Sequence, residues 1–109
     1  MDLEVDVRFG QLLAELEKTA GGGLDLQAVV FMIGLQELNF GFRMFTKDEK
    51  LQVMHVATCA LLEPYGYYRT EGRDEDGWIH FSVQKKLPPL SDKEQQQFMK
   101  RAILEYFDY

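Results

Sequence analysis

His55 and Cys59 stand four residues apart in a stretch of helical character. That spacing puts both side chains on one helix face, as a metal-binding pair requires. His80, or one of Glu63 and Glu71, would have to add a third ligand. Zinc sites that use cysteine usually use several, and this chain has one. A hydrogen-bonded core histidine at His55 and a small buried hydrophobe at Cys59 explain the pair more simply. The same two residues read as base and nucleophile fare no better. Reactive thiolates favour exposed, electropositive sites, often at helix starts, whereas Cys59 lies mid-helix among Ala57, Ala60 and Leu61. No cofactor or metal is expected, and His55, Cys59 and His80 are the weak metal candidates.

The carboxylates tell a similar story. Asp74-Glu75-Asp76-Gly77 invites a calcium-loop reading, which needs Asp first, Gly sixth and Glu twelfth. With Gly77 sixth, those outer places hold Gly72 and Val83. A solvated hairpin turn is the better account. Glu71, Asp74, Glu75 and Asp76 as an acid–base set would all lie in or beside that turn, ionised and hydrated. Glu37 follows a nearly all-apolar stretch, where a structural ion pair with a partner such as Arg43 is expected. Gly21-Gly22-Gly23 has no Gly-Lys-Ser/Thr after it and no strand before it, so it reads as a joint and not as a phosphate cradle.

Tyr65, Tyr67, Tyr68 and Trp78 are the more informative group. Aromatic side chains are common interface anchors, and Arg69 and Arg73 beside them can steer an acidic partner or stack on rings. Tyr67, Tyr68, Trp78, Arg69 and Arg73 therefore make a candidate interaction surface. The competing reading has these aromatics packing a hairpin onto the last helix. A second candidate is an apolar ligand pocket near residues 40–45, with Arg43, His55 and Tyr68 as its convergent polar groups.

The elements that must position these residues follow from periodicity. Val5, Phe9, Leu12, Leu13 and Leu16 form one face of a helix over residues 3–18. Asp25 caps a second helix from Leu26 to about Asn39, apolar nearly all round, with Gly41 as its stop. Phe40, Phe42, Met44 and Phe45 follow and need cover. Thr46 and Glu49 form a capping box, and that helix runs to about Glu63 before Pro64 and Gly66. Leu51, Met54, His55, Thr58, Leu61 and Leu62 are its expected core face; Val53, Val56, Ala57 and Ala60 form a second, smaller one.

Residues 67–85 read as a hairpin, with Ile79, Phe81 and Val83 facing inward. Pairing residue 72 with 79 places Glu71 opposite His80 and Tyr68 opposite Val83. Ser91 and Glu94 form a second capping box, and the last helix runs to about Phe107, with Phe98, Met99, Ala102, Ile103, Tyr106 and Phe107 on one stripe. The expected fold is α+β, a single domain over residues 1–109 in the order α-α-α-β-β-α. Its parts are an amphipathic helix (1–20), a glycine hinge (21–23) and a core (24–109).

Composition narrows the function classes. Twelve Lys and Arg stand against 18 Asp and Glu in 109 residues, a net charge of −6. Lys85-Lys86 and Lys100-Arg101 are the only basic doublets, too little for phosphate neutralisation, so nucleic acid is not an expected partner. An anionic membrane surface is disfavoured for the same reason, and no apolar run approaches a bilayer span. The acidic start Met1-Asp2-Leu3-Glu4 is unlike a signal peptide, and a lone cysteine fits a reducing compartment, so the cytoplasm is expected. The leading expectation is a non-enzymatic protein-interaction or regulatory module, working as a homodimer through the apolar second helix and the hairpin edge. The alternatives are a small-ligand-binding domain and a small metal-dependent enzyme using His55 and His80.

Overall fold

The computed structural model describes residues 3–41 and 43–109. Met1 and Asp2 lie outside the described residues, as does Phe42 and with it the expected cover of that ring. The elements are α1 (Leu3–Ala20), α2 (Leu26–Leu38), α3 (Lys47–Leu62), a 3-10 turn (Glu63–Tyr65), β1 (Tyr68–Arg73), β2 (Ile79–Val83) and α4 (Asp92–Tyr106). This is an α+β fold in the order α-α-α-β-β-α, with one antiparallel two-stranded sheet. Among the described residues no helix is long and apolar enough to cross a membrane. The chain gathers into two compact units, Met1–Ala28 with Pro88–Tyr109, and Val29–Leu87.

In the first unit, α1 and α4 pack together. Val5, Phe9 and Leu12 from α1 and Ala102, Ile103 and Leu104 from α4 are buried. Leu104 thus takes a core place that the expected stripe left out. Asp6 ties the pair by accepting from Gln97 Nε2 (2.7 Å) and Lys100 Nζ (3.1 Å). Arg8 donates to the Tyr109 carbonyl. Ser91 and Glu94 close the expected capping box at the start of α4. Gly21, at φ +90°, ends α1 by donating to the Glu17 carbonyl, a left-handed stop that glycine adopts without strain. Asp25 Oδ1 accepts from the Ala28 N–H (2.8 Å) and so caps α2.

In the second unit, α2 stops at Asn39 and not at Gly41. Asn39 takes the left-handed conformation (φ 58°) and donates to the Leu35 carbonyl. Thr46 and Glu49 make the capping box of α3. Its core face differs from the expected one. Leu61 and Leu62 are buried as expected, but so are Val53, Val56, Ala57 and Cys59, whereas Leu51 is 62% exposed and His55 is exposed. The cause is a close approach at Gly34. A Cβ placed there would lie 2.3 Å from the Val53 carbonyl oxygen and 2.7 Å from Val53 Cγ1. Only glycine lets α2 reach the α3 backbone, and that contact turns the small-residue face of α3 inward. Leu38, Val53 and Val56 form the resulting core, covered by Phe31, Leu35, Phe40, Phe45, Trp78, Ile79 and Phe81. Met44 stays outside, 88% exposed.

The hairpin pairs Tyr68 with Val83, as expected, but Gly72 with His80. Glu71 is the extra residue of a β-bulge, so it does not oppose His80. Gly72, at φ +122°, accommodates the kink. Inward alternation holds for Ile79 and Phe81 and fails at Val83, 69% exposed at the open end of the ribbon. Both strands contact α3, which supplies the support that two strands alone lack in water. Of the apolar residues of α2, Val29, Val30, Ile33 and Leu38 are buried, and Leu26, Ala28, Phe31, Met32 and Leu35 are half-buried.

Gly34→Ala should lower stability by about 1–3 kcal/mol through overpacking, read as a lower urea midpoint. Gly10→Ala, where a Cβ meets nothing within 4 Å, is the control and should hold or raise the midpoint. The Asp6 carboxyl is held below the ordinary carboxylate range, first by the Gln97 hydrogen bond and then by Lys100. Its folded pKa is the lower one, so its contribution is complete above the unfolded value of about 3.9 and is lost as pH falls through the folded value. The melting temperature of Asp6→Asn should accordingly fall less steeply over that acid range than that of the parent chain.

Candidate functional site

The second unit carries a cleft of about 430 Å³ between α3 and the hairpin. Gln52, His55 and Val56 line it from α3, and Asp74, Asp76, Trp78, Ile79, His80 and Phe81 from the turn and β2. The rotation of α3 described above brings His55 here. The expectation of a core histidine is thus corrected: His55 faces solvent, with Nε2 3.5 Å from Cys59 Sγ.

Asp74 organises the other wall. Its Oδ1 accepts from the backbone N–H of Asp76 (2.9 Å) and of Trp78 (3.0 Å), the pattern by which aspartate shapes a turn. Its Oδ2 lies 2.8 Å from His80 Nε2. The His80 hydrogen bond, with the Trp78 and Asp76 N–H groups behind it, holds the Asp74 carboxyl below the ordinary range. The pair is open to water, the His80 side chain being 63% exposed. Asp74 is therefore a fixed anion and not a proton donor near neutral pH.

Cys59 is fully buried, and burial, helped by the Glu63 carboxylate, pushes its thiol up to about 11. A protonated, inaccessible thiol cannot act as the nucleophile for His55. His55 and His80 share the cleft, yet among the described residues no three His, Cys, Asp or Glu side chains converge as a metal would need.

The candidate interaction residues separate. Arg73 reaches back across the sequence to donate to the carbonyls of Glu37 (2.7 Å) and Leu38 (2.8 Å), and to that of Gly77 (2.9 Å). It caps the end of α2 and is not available to steer a partner. Arg69 pairs with Glu71 (3.2 Å) on the exposed ribbon. Tyr67 lies under the Lys85 ammonium, 4.5 Å from its ring centroid, and Tyr68 is half-buried opposite Val83. Trp78 is half-buried against the core and stacks edge-on with Phe40, ring centroids 5.0 Å apart.

The proposed pocket trio does not converge. Of Arg43, His55 and Tyr68, only His55 lines the cleft. Arg43 pairs with Glu49 (3.4 Å) and stacks on Phe40, Phe45 and Trp78. Asp74 as organiser of the site is a finding of the structure; its signal in the sequence is an aspartate opening an Asp-Glu-Asp-Gly turn.

Comparison with family models, with curated proteins and with solved structures gives no match.

The Cys59 environment is directly testable. At about pH 8 the native thiol should react with an aromatic disulfide reagent at least about 100-fold more slowly than in urea, because its thiolate is scarce and buried.

Proposed function

We propose that the protein is a non-enzymatic interaction module that takes a basic side chain of a protein partner into the cleft between α3 and the hairpin. The observation that carries this reading is the Asp74 carboxylate, pinned by two backbone N–H groups and held ionised at the rim of a cleft that also contains Asp76 and Trp78. A lysine or arginine entering there meets fixed negative charge and an indole, the combination that favours cation recognition. The net charge of −6 speeds encounter with a basic partner. The solvated imidazole–carboxylate pair and the buried thiol support recognition over catalysis.

Amide shifts of the labelled protein, titrated with a short Arg/Lys peptide and with an acidic peptide of equal length, test the proposal. The basic peptide should shift residues 74–81 and His55, with an affinity that falls as salt is added. Asp76→Asn leaves the Asp74 turn intact and should weaken binding several-fold; Asp74→Asn should weaken it further. Equal binding of the acidic peptide, or shifts spread evenly over the surface, overturns the reading.

A further inference from the structure

Between the end of α2 and the start of α3, three aromatic rings surround one cation. The Arg43 guanidinium carbon lies 4.3 Å from the Phe40 ring centroid, 4.9 Å from that of Phe45 and 5.8 Å from that of Trp78. All three are within cation–π range. Glu49 adds a carboxylate oxygen 3.4 Å from the guanidinium. The Arg43 side chain is 38% exposed, so the box opens to water.

The walls stand without Arg43. Phe40 and Trp78 hold each other edge to face, with ring planes at 86°. Phe45 is backed by Phe31 in the same way, centroids 6.0 Å apart. Phe40 fits against Gly77, where a Cβ would come within 3.0 Å of its ring. Arg73 ties the hairpin that carries Trp78 to the end of α2. The Thr46 N–H fixes the other Glu49 oxygen at 2.8 Å, and Glu49 is held below the ordinary carboxylate range chiefly by that bond. Arg43 itself sits on the connection between helices, outside any regular element.

We propose that Phe40, Phe45, Trp78 and Glu49 form a binding site for a methylated ammonium group, and that Arg43 occupies it as a displaceable internal cation. The ligand class follows from the lining. Ring faces offer no hydrogen-bond acceptors equal to water, and one carboxylate oxygen stands at the rim. A strongly hydrated ammonium would lose its water bonds here, whereas a quaternary ammonium has none to lose. The weakly hydrated guanidinium of Arg43 fills the place for the same reason. Phe45 and Arg43 do not line the acidic cleft, so this site stands apart from the cleft reading except at Trp78.

Trp78 is the only tryptophan, so its fluorescence reports on the box. Tetramethylammonium should quench or shift it saturably in Arg43→Ala, with an affinity at least 10-fold higher than in the parent chain. Adding Phe45→Ala to that variant should abolish the response, while Asp76→Asn should leave it unchanged. Ammonium chloride at equal ionic strength should give no saturable change. Choline and a trimethyllysine peptide, run beside an unmethylated peptide, separate a free small molecule from a protein tail as the source of the group. Should Arg43→Ala fail to fold by circular dichroism, the parent chain still decides. Saturating tetramethylammonium must move the Arg43 Hε resonance as the side chain leaves the rings. No movement there, or an unaltered response in the Phe45→Ala variant, overturns the proposal.

Discussion

Helices α2 and α3 touch where Gly34 meets the Val53 backbone, and much of the second unit follows from that contact. A helix can be rotated about its axis at little cost until one face is committed. Here the commitment is steric, because any side chain at position 34 would enter the Val53 carbonyl. Once Val53 faces α2, Val56 and Ala57 follow at helical spacing into the core, and Leu51 and His55 are turned to the far side. The burial of Cys59 and the placement of His55 at the cleft are consequences of that rotation.

The hairpin depends on polar contacts as much as on burial. Two strands form few hydrogen bonds of their own, and much of this ribbon is exposed. Arg73 joins its far end to the carbonyls that end α2, and Asp74 closes the turn from within. Arg73 thereby meets the need of a helix end for donors and fixes where Trp78 and His80 sit. A charged residue at a ribbon end is ordinarily a solvated ornament; here its five-donor fork spans two elements.

The same economy gives the candidate site its character. The Asp74 carboxyl is held below the ordinary range and the two imidazoles are open to water, while the Cys59 thiol lies buried. Fixed negative charge and aromatic surface stand side by side in the cleft, and three rings gather around Arg43.

What the chain determines locally is readable from its residues. The capping boxes at Thr46 and Ser91, the Asp25 cap and the acidic turn all rest on groups a few residues apart. The four helices and the hairpin were legible for that reason. The turn of α3 at Leu51 and His55 was not, because its two apolar faces compete there and a glycine in another helix decides between them. The bulge at Glu71, the reach of Arg73 to Glu37 and Leu38, and the seat of Arg43 among three rings were equally hidden. Each depends on how separately formed elements meet in space. Sequence alone determined which elements form; packing between them decided which side chains came together as a site.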